Sequence, residues 1–370
     1  MINTLKFNEF ENLKKFLKDV STLLLVTLFA KSLRYLSTII IARNISIEDY
    51  GTYAYFIQLS GYLCTIIEIG LPTSIIIFHI RRGISLSQIF LVIMTFILSI
   101  FFTLFIGLSL YQVLSGNTDF ILSGSLSAHH LFLYSFVLII GSILMASLRA
   151  KEENLKYSFF TFLLGSFFFT SIVITKYFFG LSLLNAYFSI FAASFLWVVI
   201  LLITNLDLFH KSINTRLPWI SDLFKFGLKN YITRLLSSFV QLLPYIFLIS
   251  IEETKILGFF GVAVTMMSIF RLLSQSVSML ITSRLSSLSD ESSYSFSFVI
   301  SLILILIFSV SLPILLNFME QIIELIYGFR YLDAVPLISL CLIAVVLEIL
   351  IIFIIRPFIT SSNPVPSFQW

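Results

Sequence analysis

An all-α polytopic membrane protein of about ten transmembrane helices, in two parallel-repeat bundles of six and four, is the fold class this sequence predicts. Three observations predict it. Of the 370 residues, 58% are hydrophobic and 11% charged, with 41 Phe and a mean hydropathy of +1.03, outside the range of water-soluble domains. Apolar windows near the 20-residue length of a bilayer-spanning helix recur about ten times. Finally, the chain resembles itself at an offset of 207 residues, Gly51 meeting Gly258 and Tyr53 meeting Phe260.

The windows fall at roughly 20–42, 52–79, 84–110, 128–148, 157–179, 181–204, 226–250, 256–283, 296–319 and 334–356. Their length favours helices over the short alternating segments of a transmembrane barrel. Grouping them predicts an N-terminal bundle over 1–205, a cytoplasmic linker over 206–225 and a C-terminal bundle over 226–370. Leu5, Leu13, Phe16, Leu17 and Val20 alternate with lysines, the pattern of an interfacial helix ahead of the first span; 217–229 repeats it ahead of the seventh. With the N-terminus inside, fifteen Lys and Arg fall on inner segments and four on outer ones, which predicts a multi-pass protein of the cytoplasmic membrane with a cytoplasmic N-terminus. The net charge of +4 is then a matter of topology, and no nucleic-acid partner is expected.

Within the first span, Thr27, Lys31, Arg34 and Thr38 step by four, three and four and share one helix face. In the second, Gln58, Gly61, Thr65, Glu68 and Pro72 do the same with an acid in place of the cations. The offset of 207 sets these stripes against Arg234, Ser238 and Gln241 in the seventh span and Ser268 and Gln275 in the eighth, which also carries Arg271. Six spans separate the two starts, so the repeats are parallel.

Lys31, Arg34, Arg234 and Arg271 near mid-span oppose only Glu68 and Glu348. Each charge at the centre of an isolated helix costs about 2.5 to 3.5 kcal/mol, so six must face water or one another. One reading is a set of helix-joining salt bridges. The other is a cavity lining with two surplus positive charges, suited to a phosphate or pyrophosphate that arginine grips bidentately. Glu68 is then either a partner of the cations or the site of a coupling proton or sodium ion. Glu348, near a span end, reads as a snorkelling side chain, and Tyr35, Tyr53, Tyr55 and Tyr62 read as packing before sugar-binding. Pro72 and Pro244 are candidate hinges. Cys64 and Cys341 lie in spans, the four His lack a second ligand at metal spacing, and no Gly-rich phosphate loop or nucleophile motif occurs, so no cofactor, metal or catalytic residue is expected.

The stretch "TIIIARNISIEDYGTYAYFIQLSGYLCTIIEIGLPTSII", 38–76, resembles the start of O-antigen flippases, polysaccharide transporters of the multidrug/oligosaccharidyl-lipid/polysaccharide exporter superfamily. The resemblance rests on Ala42-Arg43, on Asp49, Tyr50, Gly51 and Tyr53, and on Glu68, Gly70 and Pro72, with 251–274 similar to the matching segment of the second half. It implies two bundles facing across a central cavity built from spans one, two, seven and eight. It further implies a substrate of undecaprenyl-pyrophosphate-linked oligosaccharide, flipped across a bacterial inner membrane for lipopolysaccharide or other surface polysaccharide. Lys31, Arg34, Arg234, Arg271, Gln58 and Gln275 would line the cavity, Glu68 would couple a proton or sodium ion, and membrane lipids and polysaccharide assembly proteins would be partners. Family members have at least twelve spans, so a chain of about ten is expected to be short at its C-terminus. Two other functions compete: an ion-coupled drug or metabolite antiporter of the same superfamily, which would favour an acidic cavity, and a polytopic polysaccharide polymerase, which would need a large outer loop carrying cations. The chain is not expected to be an enzyme.

Overall fold

Helix signals in the sequence are met by helices throughout the computed structural model, which describes residues 25–115, 127–209, 219–251, 253–285, 306–307 and 309–361. Among these residues there is no strand. The predicted N-terminal interfacial helix and most of the polar run 283–297 lie outside them. The helices are α1 (Leu25–Asn44), α2 (Ile47–Glu68), α3 (Leu71–Arg82), α4 (Leu86–Ser115), α5 (Ala128–Ala150), α6 (Asn154–Phe178), α7 (Leu183–Thr204), α8 (Ile220–Ser250), α9 (Thr254–Leu285), α10 (Ser309–Asn317), α11 (Met319–Tyr327) and α12 (Val335–Ser361). Short 3-10 turns occupy Leu206–Phe209 and Phe329–Ala334. By length and apolar composition seven of these helices cross a membrane, or nine spans do if each bent pair counts as one; the apolar stretch Arg234–Ser250 of α8 is shorter.

Two predicted spans are broken. The second becomes α2 and α3, meeting at 44°. The break is made by Ile69 and Gly70, both left-handed (φ 46° and 70°), whereas Pro72 sits in the first turn of α3, where a missing N–H costs nothing. For a β-branched residue such as Ile69 this backbone is strained, by about 1 to 3 kcal/mol. Of the predicted span 296–319, residues 296–305 and 308 lie outside the described residues; its end forms α10 and continues as α11 to Tyr327, with a 61° bend between them. In α11, Met319, Ile323 and Tyr327 are buried on one side while Leu325 is exposed on the other. Pro244 lies inside an unbroken α8.

The 207-residue offset recurs in the helix boundaries. Helices begin at Ile47 and Ala128 in the first half and at Thr254 and Val335 in the second, so α2 corresponds to α9 and α5 to α12. The break after α2 has no counterpart, because Ser276 and Val277 stand in α9 where Ile69 and Gly70 stand in the first repeat, and α9 runs straight through.

The chain forms two compact units, one through Leu257 and one from Gly258, so the first reaches past the predicted linker and takes in α8. In the first unit α5 is the most buried span and packs against α2, α3, α4, α6 and α7. Trp197 of α7 locks this core, its indole donating to the Phe160 carbonyl at 2.8 Å. Against α6, α1 lies close because Gly165 leaves room for the Ala30 backbone, with Phe29 stacked on Phe162 at 5.8 Å. α8 runs antiparallel along α3 and α2, and Gly70 and Gly227 bring the two backbones together. In the second unit Tyr331 is buried beside Phe259 and Tyr327, and Val345 and Ile349 of α12 pack on Met267 and Phe270 of α9.

A methyl group separates the two kinds of glycine here. Gly70→Ala is expected to lose about 2 kcal/mol or more, since it adds left-handed strain to a collision with the Gly227 carbonyl. Gly61→Ala meets open space on a helix and should be neutral or gain up to about 1 kcal/mol. Thermal unfolding of the two variants in detergent checks the contrast.

Candidate functional site

The predicted polar stripes are distributed over two neighbourhoods. On α1, Arg34 is exposed and Lys31, Thr27 and Thr38 are half-buried, and Thr38 donates back to the Arg34 carbonyl at 3.0 Å. Arg34 lies over the Phe168 ring of α6, 4.8 Å from its centroid, a cation–π contact. Among the described residues no carboxylate pairs with Lys31 or Arg34.

The α2 stripe turns toward α8. Thr65 Oγ1 lies 3.3 Å from Ser238 Oγ, and Glu68, 5% exposed, faces the Arg234 guanidinium at 4.0 Å. Ser142 of α5 donates a short hydrogen bond to the Glu68 carboxylate. Glu68 is thus the last residue of α2, next to strained Ile69, and joins three helices. Above and below it the seam is closed by Tyr62 on Phe239 (5.9 Å), Tyr55 against Tyr245 (6.4 Å), Ser74 Oγ on the Leu223 carbonyl (3.5 Å) and Arg82 paired with Asp222 (2.7 Å). Tyr53, Tyr55 and Tyr62 are therefore packing residues of the first unit. Gln58 is half-buried on α2.

In the second unit Arg271 of α9 donates to Glu348 of α12 through Nε at 3.0 Å and Nη2 at 2.6 Å. Glu348, read from sequence as a snorkelling side chain, is the partner of Arg271. The offset makes this pair the counterpart of the α2–α5 contact, where Ser142 meets Glu68, so both repeats tie equivalent helices by polar side chains. The side chain of Gln275 lies outside the described residues.

The four intramembrane cations thereby sort into two classes. Arg234 and Arg271 have carboxylates; Lys31 and Arg34, one turn apart on α1, have none among the described residues. The surplus of two positive charges expected from the sequence is concentrated on one helix. Sequence reasoning missed Ser142, Phe168 and the partnership of Glu348. Ser142 carried no signal beyond a hydroxyl in an apolar run, and Glu348 was legible only as an acid in search of a cation.

Arg82 bonds to Asp222 and holds its carboxyl below the usual carboxylate range. A depressed carboxylate adds stability above its unfolded pKa, near 3.9, and loses it as pH falls through the folded value. The difference in unfolding temperature between wild type and Asp222→Asn should therefore be full above about pH 5 and shrink below about pH 4. Both side chains are half-exposed, so the effect should also fade with salt.

The model of a family described as "Polysaccharide biosynthesis protein" matches residues 16–283. No curated protein matches the chain in sequence. Among solved structures, one described as "protein A" superposes with a TM-score of 0.61 at 16% identity, over 93% of this chain and 82% of that one. The MATE multidrug transporter DinF-BH, solved as a complex, gives 0.54 at 15% identity over 92% and 86%, and a point mutant of a MATE protein gives 0.50 at 12% over the same shares. The similarity to these transporters is one of fold. The family match covers most of the chain, and with the intramembrane charges on long apolar helices it leads to one conclusion: this chain is a multi-pass membrane protein that belongs to the polysaccharide biosynthesis protein family.

Proposed function

We propose that this protein flips a lipid-linked oligosaccharide, its anionic head an undecaprenyl pyrophosphate, from the cytoplasmic to the outer leaflet of a bacterial inner membrane by alternating access. The observation that carries this reading is the pair Lys31 and Arg34 on α1, which has no carboxylate partner among the described residues. Two cations one turn apart in a membrane span are costly in hydrocarbon, and an anion that bridges them removes the cost. Arg34, seated on Phe168, presents its donors to one phosphate oxygen while Lys31 supplies a point charge to another.

Arg234 and Gln58 of the first unit, and Arg271 and Gln275 of the second, are further proposed substrate-binding residues, and both arginines are already paired. A substrate phosphate would compete with Glu68 and Glu348 for them, so they serve best as elements that exchange partners during the cycle. Glu68 is the proposed site of ion coupling: it is buried, it faces a guanidinium at 4.0 Å, and it stands at the α2–α3 break. The break itself is the proposed hinge, with Pro72 fixing the first turn beyond it, and Pro244, inside the unbroken α8, is the second candidate hinge.

Expression in a bacterial strain lacking its own flippase, with surface polysaccharide resolved on gels, tests the reading. Lys31→Ala with Arg34→Ala should cut surface polysaccharide about tenfold or more, the scale of losing charge-assisted hydrogen bonds to an anion. The exchange Arg271→Glu with Glu348→Arg should keep folded protein in the membrane, because the pair survives with its sign reversed, but lower surface polysaccharide, because position 271 no longer offers a cation to the phosphate. Undiminished polysaccharide in the α1 double variant refutes the anion reading. Export of cationic dyes with no polysaccharide rescue would instead favour the antiporter.

A further inference from the structure

Two histidines absorbed by neither the fold nor the proposed site stand in the first turn of α5. The backbone N–H of Ser127, the residue preceding the helix, donates to Nδ1 of His130 at 3.1 Å, and Ser127 Oγ lies 2.8 Å from the same nitrogen. This is the reciprocal half of a capping box, in which the third helical residue reaches back to the N-cap; the usual residue there is Glu or Gln. Here the acceptor is an imidazole. Beside it, His129 Nε2 lies 3.1 Å from Ser109 Oγ of α4, with its ring edge-on to Phe105 at 5.2 Å. From α7, Tyr187 stacks edge-on against the His130 ring at 4.9 Å and donates its hydroxyl to the His130 carbonyl at 3.1 Å, and Phe188 lies 6.1 Å from the ring.

The geometry points to a proton-sensitive cap on α5: neutral His130 closes its N-terminal turn, and the imidazolium opens it. Nδ1 can accept the Ser127 N–H only while it carries a lone pair; in the imidazolium both ring nitrogens are donors. On protonation Nδ1–H can still donate to Ser127 Oγ, but the Ser127 N–H loses its acceptor and meets a second N–H. The new charge also stands at the positive end of the helix dipole and beside His129; the described groups facing it from α7 are Tyr187 and Phe188, and those against the neighbouring His129 from α4 are Ser109 and Phe105, none of them an acid. The cap is complete above the ordinary imidazole range, near pH 6.5, and fails as the pH falls below it.

α5 is also the helix that carries Ser142 to Glu68, twelve residues or about 18 Å beyond His130. The cap thus sits at the head of the helix on which the first unit is assembled, and it requires no assumption about what the protein transports.

Hydrogen exchange of purified protein, followed by mass spectrometry over residues 127–131, tests this at about pH 5.5 and pH 7.5, either side of the imidazole range. After correction for intrinsic exchange, the wild-type turn should open about fivefold more at the lower pH, the ratio expected for one lost N-terminal cap. His130→Gln restores a pH-independent acceptor and should abolish the difference, whereas His129→Gln should retain it. Should His130→Gln express poorly, His130→Glu completes the same box. Equal pH responses in wild type and the His130 variant, or no response in the wild type, overturn the proposal.

Discussion

A charge inside hydrocarbon finds no partner unless the protein brings one, and this requirement organises the molecule. Glu68 recruits Ser142 from α5 and Arg234 from α8, which draws three helices to one point. Arg271 and Glu348 do the same for α9 and α12. Among the described residues these pairs leave over Lys31 and Arg34, which are set apart by elimination as much as by their own geometry. Apolar packing holds each unit together, but lipid tails are as apolar as leucine, so packing alone gives these helices little reason to choose one neighbour over another. The polar links supply that choice.

The same requirement explains why α8 lies with the first unit. Along its length it meets α3 and α2 through Asp222, Leu223, Gly227, Arg234, Ser238, Phe239 and Tyr245, a mixture of an ion pair, glycine contact, hydroxyl pair and aromatic rings. The glycines allow the close approach that lets weak polar contacts form at hydrogen-bond distance. The left-handed Ile69 and Gly70 then turn α3 so that the seam continues on the far side of Glu68.

Much of this was legible in the sequence. Apolar length located the helices, and the 207-residue self-similarity paired the second span with the eighth, in keeping with the starts of α2 at Ile47 and α9 at Thr254. The spacing of Lys31 and Arg34 placed both on one face of α1. The break after α2 was harder to read: Pro72 drew attention to the place, but the bend belongs to Ile69, a residue that ordinarily avoids such backbone. Partnerships were least legible of all. Nothing local links Glu68 to Ser142 or Arg271 to Glu348, because each pair is chosen by the packing of helices distant in the chain.

Chain separation also carries a consequence for biosynthesis. Glu68 enters the membrane 74 residues ahead of Ser142 and 166 ahead of Arg234. At roughly 5 to 20 residues per second, the guanidinium follows the acid by about 8 to 33 seconds. The nascent first bundle must therefore carry a buried acid through insertion with a serine as its first companion and its cation still on the ribosome, so the order of translation makes α8 the element that completes the N-terminal bundle.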